Sequence, residues 1–149
     1  MPIQDFIAQL ESQDNQKAYQ AFRELLAESE KNDQVYPYFD RFIKMMRHQS
    51  NSFIRTRGLR LIAFNARWDR EGRVDRILAE YLEHLEDEKP ITARQCIRDT
   101  VLIAQYKPEL GPRILEALGA MGKTYQDSMQ PLVCQDRKKA MRQIQQLSE

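Results

Sequence analysis

Apolar residues recur along this chain at intervals of three and four, and no useful stretch alternates in twos, so the pattern predicts helices and no strands. The densest case is Ser52 to Asp69, SFIRTRGLRLIAFNARWD. Wound as a helix, it gathers Ile54, Gly58, Leu61, Ile62 and Asn65 on one side, with Trp68 near that side and Phe53 and Phe64 flanking it. Only Thr56, Arg60, Ala63 and Arg67 are left for water. A surface helix carries one apolar stripe, whereas a helix covered on several sides reads like this one. This segment is therefore expected to be a central helix with the others packed around it.

Seven further helices follow from the same periodicity. Helix 1 carries Ile3, Phe6, Ile7 and Leu10. Helix 2 is capped by Asp14, carries Ala18, Tyr19, Phe22, Leu25 and Leu26, and dissolves in the polar run Glu28 to Gln34. Helix 3 begins near Val35 with Pro37 in its first turn, and presents Tyr36, Phe39, Phe42, Ile43 and Met46. Ser50 or Ser52 is expected to cap the central helix 4, which stops near Asp69, with Glu71 and Gly72 as the turn. Helix 5 shows Val74, Ile77, Leu78, Tyr81, Leu82 and Leu85, and ends in Glu86, Asp87 and Glu88, where the helix dipole prefers cations. Thr92 and Gln95 read as a capping box opening helix 6, which carries Ala93, Ile97, Val101 and Ala104 and ends at Lys107 before Pro108. Helix 7 spans about Glu109 to Met121, with Pro112 early and Gly122 as its stop. Helix 8 starts near Ser128 with Pro131 in its first turn and a seam of Val133, Arg137, Ala140, Met141 and Ile144, and the tail after Leu147 is expected to fray.

Composition narrows the class. The 149 residues suffice for one domain with a real core, and 42% hydrophobic with 30% charged residues is the balance of a soluble globular chain. No apolar run is long enough to span a membrane, and MPIQDFIAQLES lacks the basic and apolar regions of a signal peptide, so a cytoplasmic location is expected. Cys96 and Cys134 are the only cysteines and form no CxxC pair, which reads as two buried reduced thiols. The net charge of +1 hides an uneven distribution: −5 over residues 1–40, +7 over 41–76, −4 over 77–90 and +3 over 91–149. The basic middle is either a binding face or a set of helices paired with acidic neighbours.

The even-numbered helices are expected to begin near Asp14, Ser52, Ile91 and Ser128, at steps of 38, 39 and 37. Laying helix 4 over helix 6 at a shift of 39 pairs Ile54 with Ala93, Arg55 with Arg94, Gly58 with Ile97 and Ile62 with Val101. A helical pair repeating near forty residues is a solenoid signature. With these residues the chain resembles the HEAT repeat family, whose second helix carries a Val-Arg, small residue, Leu core, and Pro37 and Pro112 match the proline common in the first helix of that family. The stretches NSFIRTRGLRLIAFNARWD, DEKPITARQCI, YKPEL and DSMQPL are similar to a small bacterial family of single-domain HEAT-like proteins sometimes labelled SufBD-like. The resemblance implies an all-α fold, a right-handed α-α superhelix of about four helical hairpins, as one domain over 1–149. It also implies that Arg55 and Arg94 pack between repeats and pair with a turn acid, and that the second helices line a concave face.

The candidate chemistry is that of binding. Arg57, Arg60, Arg67 and Arg98 can offer planar forks to carboxylates or phosphates, against the alternative of solvated surface charge. Trp68, the one tryptophan, is either an interface anchor or a packing residue. Tyr36, Tyr38, Phe39 and Phe42 read as core and rim. His48 and His84 show no metal-ligand spacing, two unclustered cysteines cannot hold an iron–sulfur cluster, and neither GxSxG nor a Gly-rich phosphate loop occurs. No cofactor, metal or catalytic residue is therefore expected, and the predicted function is a non-enzymatic scaffold or adaptor for a protein or peptide partner. The alternative is nucleic-acid binding through segment 41–76. Resemblance to HEAT-like DNA glycosylases would give Asp69 beside Trp68 a role, and four arginines on phosphates would give a log–log salt slope of about −3 to −4. A lyase-like or assembly-factor role is implied only by the occurrence of HEAT-like repeats in bilin lyases and cofactor-maturation proteins.

Overall fold

The computed structural model describes residues 2–148. Eight α-helices account for the regular structure, and among the described residues there is no strand. They are α1 (Ile3–Gln9), α2 (Asn15–Lys31), α3 (Phe39–Met46), α4 (Ser52–Asn65), α5 (Arg73–Glu83), α6 (Pro90–Tyr106), α7 (Gly111–Gly119) and α8 (Met129–Leu147). The second helices α2, α4, α6 and α8 start at spacings of 37, 38 and 39 residues. Single 3-10 turns precede α3 (Tyr36–Tyr38) and α7 (Pro108–Leu110) and follow α4 (Ala66–Trp68) and α5 (His84–Glu86). No described helix is long and apolar enough to cross a membrane.

The chain divides into two compact units, Met1–Asp69 and Arg70–Glu149. In the first, α1 packs on α2 and α3 on α4, and the two second helices α2 and α4 pack on each other. Here α4 is the central helix. Ile54, Leu59, Leu61, Ile62 and Ala63 are all buried, and Phe53 is its one exposed residue. Ala63 therefore departs from the sequence expectation that it faces water. Gly58 explains how tightly α3 sits: a Cβ there would lie 2.7 Å from Met45 Cβ, Met46 N and Phe42 O. Only a residue without a side chain lets the two backbones approach so closely.

In the second unit α6 packs on α8, and α7 packs on both. The α5 helix reaches α6 through the turn His84–Glu86 and through the Cys96 thiol, whose sulfur lies 3.7 Å from the Tyr81 carbonyl. Ile97, which the sequence lays over Gly58 at a shift of 39, is fully buried. Lys107, nearly buried, closes the end of α6 onto the start of α5 through Asp75 at 2.5 Å.

Several helix ends differ from the sequence reading, each for a local reason. Asp14 caps α2 as expected, its carboxylate accepting from Gln16 N and Lys17 N. For α4 the cap is Asn51, not a serine: Asn51 is the residue in extended conformation, and its side chain accepts from Phe53 N and Ile54 N while Ser52 is already helical. No capping box forms at Thr92, because Pro90 opens α6 two residues earlier and Thr92 is buried inside it. The α7 helix ends at Gly119, before Gly122. Gly72, at φ +70°, is the one described residue in the left-handed region and marks the start of α5. The predicted fraying beyond Leu147 falls on Ser148 and on Glu149, the latter outside the described residues.

The α2 helix ends at Lys31, inside the polar run Glu28 to Gln34 where the sequence ends it. The last carbonyls of a helix lack intrahelical partners. Trp68 supplies one here, its indole N–H donating to Ser29 O at 2.6 Å, while the Asn65 amide donates to Ser29 Oγ at 3.1 Å. These contacts tie the last turn of α2 to the end of α4 and the turn after it.

Candidate functional site

The second helices carry the candidate residues, and the fold sorts them into two groups. Arg55 and Arg57 are buried at 5% and 6% exposure. Arg55 donates to the carbonyls of His48 and Gln49, just past the end of α3. Arg57 donates to Leu10 O at the end of α1, and burial lowers its pKa from the ordinary guanidinium value. It is closed off from solvent, contrary to the expectation of a freer arginine. In the other unit Arg137 of α8 does the same for α7, donating to Leu118 O at 2.6 Å and Gly119 O at 3.2 Å. In each case a cation meets the carbonyl-rich end of a helix, where the dipole is negative.

Arg60 and Arg67 remain half-buried on α4 and its following turn. The Arg60 guanidinium lies over Phe22 and Phe64, at 5.9 and 5.4 Å from the ring centres, and Arg67 lies 5.9 Å over Phe64. Arg67 also donates to Phe64 O at 3.0 Å. On α2, Arg23 stands 5.9 Å over Tyr19. Guanidinium planes held on ring faces are pre-oriented, which lowers the entropy lost when they bind. Tyr19 at 53% and Phe53 at 62% exposure are large apolar residues open to solvent in this unit. Trp68 is half-buried and committed to Ser29, and Asp69 is buried and accepts from the Tyr36 hydroxyl at 2.6 Å. Tyr36, Phe39 and Phe42 are buried and Tyr38 half-buried.

In the second unit Arg94 and Arg98, one helical turn apart on α6, converge on Asp136 of α8. Arg94 makes the close contact, at 2.6 Å, and Arg98 the long one, at 3.6 Å with its side chain 50% exposed. Arg98, Asp136, Lys139, Ala140 and Gln143 line a groove of about 380 Å³ between α6 and α8. Asp136, Lys139 and Gln143 did not stand out in the sequence. The signal available was the run DRKKAMR, Asp136 to Arg142, with four bases to one acid.

Several other polar groups tie one element to the next. Glu86 accepts from Gly122 N at 3.0 Å and from Lys123 N, so the acidic end of α5 anchors the α7–α8 connection. Asp87 is buried between His84 Nδ1 and Lys89 N, each at 3.0 Å. Its carbonyl accepts from the Tyr125 hydroxyl, whose pKa is raised to about 12 by burial and then by the charges of Asp87 and Glu86. Burial also raises the Cys96 thiol well above its usual value, while Cys134 is half-buried rather than buried. Among the described residues no group of three or more His, Cys, Asp or Glu is placed to hold a metal ion. Comparison of the chain with protein-family models, curated proteins and solved structures finds no match.

Proposed function

We propose that this protein is a non-enzymatic, HEAT-like solenoid scaffold that binds a protein or peptide partner through faces of its second helices. The observation that carries the reading is the layer of arginines on aromatic rings: Arg60 and Arg67 stacked on Phe22 and Phe64, with Tyr19 and Phe53 exposed nearby in sequence on the same two helices. Stacked arginine and exposed aromatic residues are the composition of interface hot spots. Repeat stacking is supported by the regular spacing of the second helices and by the pairing of α2 with α4 and α6 with α8. A cytoplasmic location, a bacterial source and a SufBD-like relationship belong to this reading as proposals only.

The second reading, nucleic acid bound along segment 41–76, is favoured by that segment's net charge of +7. It is weakened by where its cations go. Arg55 and Arg57 are spent on backbone carbonyls, and Arg41 pairs with Glu11 at 2.9 Å. Lys44, Arg47, Arg70 and Arg76 stay exposed in the segment, in addition to the half-buried Arg60 and Arg67, so four phosphate contacts and a log–log salt slope of about −3 to −4 remain within reach.

The test is affinity capture from source-organism lysate, with and without nuclease, using wild type beside Arg60→Glu/Arg67→Glu. A protein partner that survives nuclease and is lost in the variant is the expected result. Equal capture by both proteins would remove this face from the proposal, and nuclease-sensitive material alone would establish the second reading.

A further inference from the structure

The α6–α8 groove is lined by Arg98, Asp136, Lys139, Ala140 and Gln143. It is polar, it is open, and its charges are not balanced. Asp136 is the one acid lining it, and Arg94 at 2.6 Å already satisfies that carboxylate. Arg98 reaches the same carboxylate only at 3.6 Å with half its side chain in solvent, and Lys139 stands exposed one turn further along α8. Asp136 thus orients two guanidiniums and neutralises about one of them, so Arg94, Arg98 and Lys139 leave the groove with excess positive charge. Ala140, buried and small, forms the floor and keeps the groove open between the helices.

Dimensions set the size of the occupant. From Asp136 to Gln143 along α8 is seven residues, about 10 Å at 1.5 Å per residue. An extended chain advances about 3.3 Å per residue, so the groove spans about three residues of a peptide. Nucleic acid fits less well, because a tract of phosphates needs cations repeated along a longer path.

We propose that this groove is a docking site for a short acidic segment of a partner protein, about three residues long, with Arg98 and Lys139 receiving its carboxylates and Gln143 hydrogen-bonding its backbone. The inference rests on the binding-scaffold reading but places the specificity in α6 and α8, away from Arg60 and Arg67.

The experiment is fluorescence anisotropy of the full chain with a dye-labelled peptide GGEDEGG, its neutral counterpart GGQNQGG and a labelled single-stranded oligonucleotide, at low and physiological salt. The acidic peptide is expected to bind and the neutral one to bind at least tenfold more weakly. Arg98→Glu/Lys139→Glu is expected to weaken the acidic peptide at least tenfold, and Gln143→Glu, an exposed single change that adds a charge at the rim, severalfold. Circular dichroism establishes that the variants fold. Equal binding of the acidic and neutral peptides, or of wild type and the double variant, overturns the groove assignment while leaving the scaffold reading to its own test at Arg60 and Arg67. Preferential binding of the oligonucleotide, lost in the same variant, overturns the acidic-peptide proposal in favour of nucleic acid.

Discussion

At the scale of single residues, glycine and arginine decide most. Gly58 is the point at which α3 and α4 touch backbone to backbone, and the three atoms nearest a new Cβ at 2.7 Å include a backbone nitrogen and a backbone oxygen that cannot swing aside. Gly58→Ala is therefore expected to destabilise the protein by about 2–3 kcal/mol despite the better helix propensity of alanine, read as a lower urea midpoint at unchanged slope. An unchanged or raised midpoint would mean that α3 can shift at little cost. The arginines divide by partner. Arg55, Arg57 and Arg137 hold helix-end carbonyls, and Arg94 holds Asp136. The resemblance set Arg55 and Arg94 apart as packing arginines, but the partner of each was not legible, because an arginine on a helix face reads alike whether a carbonyl, a carboxylate or water faces it. Arg55 and Arg94, aligned in the sequence at a shift of 39, are held by different segments, the carbonyls of His48 and Gln49 for one and Asp136 for the other.

At the scale of elements, the helices follow from periodicity and their ends from caps. The α2 start was legible because Asp14 immediately precedes the apolar period. The α4 start was legible to within a residue, but three polar residues, Ser50, Asn51 and Ser52, compete for one cap, and only the backbone conformation chooses Asn51. Removing either cap orphans two backbone N–H groups, so Asp14→Ala is expected to cost about 1 kcal/mol and Asn51→Ala as much or more, because α4 is the buried helix. Thermal unfolding of the two variants checks this, and an Asn51→Ala protein as stable as wild type would refute the cap assignment. The end of α2 was legible as the polar run Glu28 to Gln34, whereas the contacts of Trp68 and Asn65 with its last turn, more than thirty residues away, were not.

At the scale of the whole molecule, the balance of charge makes a prediction of its own. Net charge is +1 at pH 7 and the isoelectric point is near 7.8, so self-repulsion is minimal close to neutrality. Solubility, followed as turbidity against pH, is expected to pass through its minimum near pH 7.8 and to recover on either side. A minimum displaced by more than about one pH unit would show that bound ions or titrating buried groups shift the folded protein's charge.

What the sequence determined by itself is the all-helical class, the number of helices and their near-forty-residue spacing, because these depend on the 3.6-residue period of apolar positions and on prolines and caps within a few residues. It also marked α4 as the helix covered on several sides. Tertiary structure alone decided which arginines face carbonyls and which face solvent, what holds the last turn of α2, and that Asp136, Lys139 and Gln143 share a groove with Arg98. Those outcomes depend on pairs of residues far apart in the chain, such as Arg57 with Leu10, Trp68 with Ser29 and Arg94 with Asp136. Local periodicity carries no information about what such residues meet, because their partners arrive only when the helices pack.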